Sequence, residues 1–330
     1  MGGVVRFRPY DLGAAPEVVA LWNRAAGEAY PLRERVLRQI VDLNPSFDAA
    51  DAVLAHEGTR LVGFGLLQHY RGNAAPCLPL RDRAWLTAVV VEPEWQRRGI
   101  GTRMFEWLLS RSTSGLPPSA SLVAGGGIHY FFPGAPADLP AARPFLESLG
   151  FRFSGWVYDV RADIAAVRPA SDDEALLAAR GLGISACRPA EWERLLAFID
   201  AEFNADWWHD ADWFRRAGGS PADWLLLRRG DGIAGLARLH SPNQPIIGPP
   251  NYWAPLRGAG AGGLGPIGIA ADLRGQGIGS AFLRGVLAAL RRRGVTDAVA
   301  DWTELLDYYG RAGFRVWKRY AVCRGYEPHR

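Results

Sequence analysis

GLGPIGIAADLRGQGIGSAFLRGVLAALRRR, residues 263–293, holds an apolar run, a turn with glycines at 275, 277 and 279, and a segment of helical period. The run has the brevity and apolar content of a strand buried on both faces. After the turn, Phe282, Leu283, Val286, Leu287 and Leu290 recur at the spacing that gives a helix one apolar face. The same pattern stands earlier, as WLTAVVVEPEWQRRGIGTRMFEWLLSR at 85–111, with Met104, Phe105, Leu108 and Leu109 as the stripe. A second shared element follows each copy, FLESLGF at 145–151 and YYGRAGF at 308–314. The chain is therefore written twice, which divides its 330 residues into a segment 1–162, a linker 163–183 and a segment 184–330.

The copies are unequal in length. Gly99 and Gly277 are 178 residues apart, whereas Gly150 and Gly313 are 163 apart, so the first copy carries 15 extra residues. They fall in the Gly- and Pro-rich stretch 124–141, whose Tyr130, Phe131 and Phe132 are expected to pack across a cleft. Strands are expected over VRFRPY, AVLAHEG, RLVGFGLLQHY, ISACRP, DWLLLRR and GIAGLARLH, with second-half helices near 190–203 and 210–217.

Composition excludes several chemistries. Of 38 basic side chains against 34 acidic ones, only Lys318 is a lysine, and FRVWKRY is neither a Walker A loop nor a Schiff-base setting. The arginines are interleaved with Asp and Glu along the chain, which argues against a nucleic-acid footprint. Cys77, Cys187 and Cys323 are sparse, unpaired in number and without CxxC spacing, as in a reducing compartment. No run of 18 apolar residues and no signal-like start occurs, so the expectation is a cytoplasmic protein without a membrane partner. The six histidines show no metal-ligand spacing, so no metal is expected. Gly258, Gly260 and Gly263 satisfy GxGxxG, but no strand precedes them and no helix follows.

The turns QRRGIG at 96–101 and RGQGIG at 274–279 place glycines directly before a helix start. Helix N-termini present unpaired N–H groups to an anion, and glycine leaves no Cβ in the way. Two such turns, each with a preceding strand, a following amphipathic helix and a downstream GF, resemble the GCN5-related N-acetyltransferase (GNAT) family in tandem form. The resemblance implies an α/β fold of two tandem domains, each a mixed, mostly antiparallel sheet flanked by helices. It implies acetyl-CoA as co-substrate, with the pyrophosphate held by Gln96, Arg97, Arg98, Gly99, Ile100 and Gly101 and by Arg274, Gly275, Gln276, Gly277, Ile278 and Gly279. Main-chain groups of Val89, Val91, Ile267 and Ile269 would face the thioester arm.

In the resembled family the acid is often a tyrosine four residues before the glycine of xxxGF. That position is Tyr309 in the second copy and Leu146 in the first, so the second copy is expected to be catalytic. Asp301, at the end of an expected strand, leads as base, with Glu304 and Asp307 following and Tyr308 as an alternative to Tyr309. Trp253 and Trp302 are expected at the acceptor pocket. The tandem pattern looks most like bacterial proteins that acetylate amino sugars, so the expected partner is a small-molecule amine, acted on by a monomer or homodimer. A mycothiol-synthase-like acetyltransferase and a non-catalytic acyl-CoA sensor are the competing readings.

Overall fold

A computed structural model of the chain describes residues 4–112, 120–166 and 171–327. The first repeat runs β1 (Val5–Pro9), α1 (Ala15–Ala26), α2 (Glu34–Ile40), β2 (Ala52–Glu57), β3 (Arg60–His69), β4 (Arg83–Val91), α3 (Ile100–Ser112), β5 (Ser121–Ala124), β6 (Ala135–Pro136), α4 (Ala142–Ser148) and β7 (Arg152–Asp163). After α5 (Ser171–Ala179) the second runs β8 (Leu182–Ala186), α6 (Trp192–Glu202), α7 (Ala205–Arg216), β9 (Trp224–Arg229), β10 (Gly232–His240), β11 (Ala261–Ile269), α8 (Ile278–Arg292), β12 (Asp297–Thr303), α9 (Leu306–Gly310) and β13 (Arg315–Arg324). No helix among the described residues is long and apolar enough to cross a membrane.

Two compact units form, one from the residues up to Val157 together with those from Arg319 on, the other from Tyr158–Lys318. In the first, β1 to β4 pair antiparallel in sequence order, and β5 joins β4 in parallel. The end of β13 completes that sheet, with Cys323 opposite Ala124 of β5 and Ala321 opposite Ala135 of β6. In the second, β8 to β11 pair antiparallel, β12 joins β11 in parallel, and the end of β7 pairs with β12 from Asp163↔Asp297 to Tyr158↔Thr303. Each repeat thus gives the end of its last strand to the unit built mainly from the other, and in these strand ends the compact units differ from the contiguous segments 1–162 and 184–330.

Amphipathic helices seal each sheet. Ile278, Phe282, Leu283, Val286, Leu287 and Leu290 of α8 are all buried, in a core shared with Leu239, Leu264 and Ala300. Phe282→Ala is expected to lower unfolding free energy by about 3–5 kcal/mol, the usual result of emptying a fully packed aromatic site. Urea denaturation monitored by tryptophan fluorescence would measure it.

One local expectation is corrected. Helix α7 begins at Ala205 rather than near 210, because the Asn204 side chain accepts the Trp207 N–H at 3.0 Å and caps it. The aromatic insertion packs on Trp22 of α1 and on Tyr30 beyond it: the Phe131 ring centroid lies 4.7 Å from that of Trp22, and Phe132 meets Tyr30 edge-on at 4.8 Å.

Candidate active site

In both units the parallel pair separates. Pairing of β11 with β12 runs from Ala261↔Asp297 to Leu264↔Ala300, and pairing of β4 with β5 from Arg83↔Ser121 to Leu86↔Ala124. Five further residues of β11 and of β4 continue beyond the last pair. Hydrogen-bonding direction alternates along an antiparallel strand. Because the Ala270 N–H bonds to Ala234 O on the β10 side, the main-chain groups of Ile267 and Ile269 point the other way, into the gap. Glu92 N–H to Val62 O fixes Val89 and Val91 likewise. The carbonyl of Ile269 is indeed met there by Arg274 at 3.3 Å, and that of Val91 by Gln96 Nε2 at 3.0 Å.

At the outer end of each gap stands the glycine turn. Gly275 and Gly277 have φ of +74° and +79°, Gly99 has +72°, and all three are exposed. A Cβ on Gly275 or Gly99 would meet nothing within 4 Å, so glycine is required there by backbone conformation and not by crowding. Gly277 caps the 15-residue α8, whose first N–H groups face the turn. Gln276 donates to Asp272 O at 2.7 Å and receives Arg180, which fixes the loop's shape. Ile278 and Ile100 are buried under their helices, while Arg97, with φ of +61°, stays exposed and Arg98 lies over Trp95.

At the inner end of the second unit's gap is Asp301. A Cβ on Gly265 would come within 2.7 Å of Asp301 Oδ1, so only glycine leaves the carboxylate this place against β11. The Gly265 carbonyl is held by His240 Nε2 at 2.7 Å. Burial pushes that imidazole well below its ordinary range, so it is neutral and Nε2 carries the donated proton. A register shift in β12 between Ala300 and Thr303 turns Asp301 out of the ladder, with Trp302 at φ of +46° and its N–H on Asp159 at 3.1 Å.

Tyr309 is buried between Tyr308 and Phe314. Burial pushes its phenol up, with Tyr308 and then Asp301 adding to the effect, so Tyr309 and Asp301 are electrostatic neighbours. Tyr308 is already occupied, donating to Gly279 O at 2.8 Å, and its phenol is pushed up to about 12 by burial. Glu304 lies exposed in the turn after β12, and Trp302 is also exposed, whereas Trp253 is buried edge-on against Tyr252.

The equivalent places in the first unit differ. Register puts Gly125 where Asp301 stands and Thr87 where Gly265 stands. A Cβ on Gly125 would meet Gly134 N at 2.7 Å and Phe132 O at 2.9 Å, because the insertion folds back over the end of β5. Leu146 occupies the position of Tyr309, and Phe145, in place of Tyr308, sits 3.0 Å from where a Gly101 Cβ would be.

Sequence reading missed a third group on the same face of the second unit's sheet. Arg238 of β10 is buried, pairs with Asp210 of α7 at 2.9 Å and lies 4.1 Å over Phe214. Tyr252 lies in the field of both Asp210 and Asp301; burial first, then Asp210, pushes its phenol up. No motif marks these residues.

In each unit a split parallel pair with strand amides turned into the gap and a glycine turn at a helix start form the candidate site. Comparison supplies the family. The acetyltransferase (GNAT) domain profile matches residues 48–153 and the acetyltransferase (GNAT) family profile matches 187–314, together more than half the chain. The chain belongs to the GCN5-related N-acetyltransferase family, as a tandem of two such domains.

Among solved structures it is similar to a GCN5-related glucosamine N-acetyltransferase region of a fungal multi-domain GH3 β-N-acetylglucosaminidase, at TM-score 0.86 and 22% identity. That match covers 98% of this chain, which spans 38% of the fungal protein. A GCN5-related N-acetyltransferase from Sphaerobacter thermophilus matches at TM-score 0.66 and 20% identity, over 98% of this chain and 96% of its own. A tandem GNAT protein from the clavulanic acid biosynthesis pathway matches at 0.62 and 15%, over 99% and 100%. No curated protein matches the chain.

Proposed function

We propose that the chain moves an acetyl group from acetyl-CoA to a primary amine of a small molecule, with an amino sugar as the favoured acceptor, and that the second unit does the chemistry. The observation that carries this reading is the Asp301 carboxylate seated against Gly265 at the inner end of the gap, with Tyr309 in its field. The exposed left-handed glycines at the start of α8 fit a pyrophosphate, since a Cβ on Gly275 would meet nothing within 4 Å and Gly277 leads into the helix-start amides. Bound there, acetyl-CoA supplies an activated acyl thioester.

The residues divide the work. Main-chain N–H groups at Ile267 and Ile269 hold the thioester arm and stabilise negative charge developing on its carbonyl oxygen. A simple alkylammonium near pKa 10.4 is neutral in only about one molecule in several thousand at pH 7, so Asp301 takes the proton that the attacking nitrogen must lose. As the N–C bond forms and the C–S bond breaks, Tyr309 gives its proton to the departing sulfur. The first unit has no carboxylate at Gly125 and no phenol at Leu146, which supports a non-catalytic role for it.

The test is free-thiol release over a panel of amino sugars, polyamines, amino acids and peptides. Release with an amino sugar supports the reading, and acetyl-CoA binding with no release on any amine overturns it. Gly277→Ala, which forces a side chain into the left-handed region, is expected to lower release far more than Gly99→Ala; the reverse order would move catalysis to the first unit.

A further inference from the structure

The second unit carries a charged pair that the acetyl-transfer steps leave unused. Asp210 lies in the middle of α7, one turn after Trp207 and one turn before Phe214. Trp207 reaches β11, 3.1 Å from where a Gly268 Cβ would be, and Phe214 lies beneath Arg238, so this face of α7 looks onto β10 and β11. Arg238 falls between the pairs Ala237↔Ile267 and Leu239↔Leu264, which sets it beside Gly265 and Pro266. Gly265 is the residue against which Asp301 rests.

The burial of this pair is lopsided. The Arg238 side chain is 2% exposed and that of Asp210 is 38% exposed. Nη1 of Arg238 donates to both oxygens of Asp210, at 3.2 and 2.9 Å, while its buried Nε and Nη2 have no partner among the described residues. A pair with one end buried and the other open to solvent is a poor device for stability alone, because the cation is desolvated while its partner's charge is screened. An incompletely satisfied buried cation asks for another explanation.

We infer that Arg238 holds Asp210 as a specificity residue, whose exposed carboxylate edge accepts a hydrogen bond from a hydroxyl neighbouring the amine to be acetylated. A carboxylate can only accept, so its ligand must be a donor. Arg238 cancels its charge, which suits a neutral hydroxyl and gives no advantage to a second ammonium. The inference rests on the amino-sugar reading and deepens it: the acceptor class is a vicinal amino alcohol rather than a diamine.

The experiment measures calorimetric binding and thiol release for D-glucosamine, cyclohexylamine and putrescine, in wild type and in Asp210→Asn and Asp210→Glu variants, with CoA-induced thermal shift as a control for folding. Wild type is expected to favour glucosamine over both other amines. Asp210→Asn should weaken glucosamine at least about tenfold more than cyclohexylamine, the scale of one charge-assisted hydrogen bond, with Asp210→Glu restoring part of the difference. Equal weakening of both amines, or a wild-type preference for putrescine, would overturn the inference. If no amine gives thiol release, the transfer reading fails, and the calorimetric preference still decides the role of Asp210.

Discussion

Tyr309→Phe is expected to lower kcat by about 10²-fold, the lower end of what a positioned acid contributes, while leaving acetyl-CoA affinity nearly intact. The phenol is buried, and burial with nearby Tyr308 and Asp301 pushes its pKa up. It therefore stays protonated across the working pH range and can serve as a donor. The same surroundings disfavour a thiolate, so the leaving sulfur gains from receiving the proton as the C–S bond breaks. Because the shift is upward, loss of this proton adds no alkaline limb to the rate profile below about pH 10, the ordinary tyrosine value. Stopped-flow thiol release and equilibrium CoA titration separate the two quantities. Unchanged turnover would remove Tyr309 from the mechanism; a comparable loss in Tyr308→Phe with weaker cofactor binding would point instead to the Gly279 contact.

Asp301→Asn is expected to cost about 10²–10⁴ in kcat/KM for the amine. The amide keeps the shape that fits against Gly265 but cannot take a proton from the nucleophile. The variant would then depend on the free amine already present in solution. Its kcat/KM should rise about tenfold per pH unit up to the acceptor's pKa, whereas wild type, with a carboxylate to take the proton, should show a much shallower rise. A pH–rate profile from 6 to 10 distinguishes them, and parallel profiles would show that Asp301 has another role.

What the sequence revealed was set by how local each relation is. The strand, turn and helix of 263–293 lie in one stretch, so the buried stripe of α8 and the left-handed glycines before it could be read directly. Asp301 and Tyr309 were legible as candidates because one lies near the end of a strand and the other precedes GF. Asp210, Arg238 and Tyr252 were not legible, since their meeting depends on where α7 begins and on the register of β10 against β11. Trp253 stands out by its Pro-rich setting, which carries no information on burial; the structure buries it edge-on against Tyr252, whose phenol lies in the field of Asp210 and Asp301. Strand exchange was equally hidden, because Asp163↔Asp297 and Cys323↔Ala124 join residues far apart in the chain.

The strand ending the first repeat supplies Tyr158–Asp163 as the neighbour of β12, the strand that carries Asp301. The Asp159 carboxylate on it also receives the Trp302 N–H. Loss of the first repeat would thus take from β12 the strand segment it pairs with, whatever else that repeat does or does not bind.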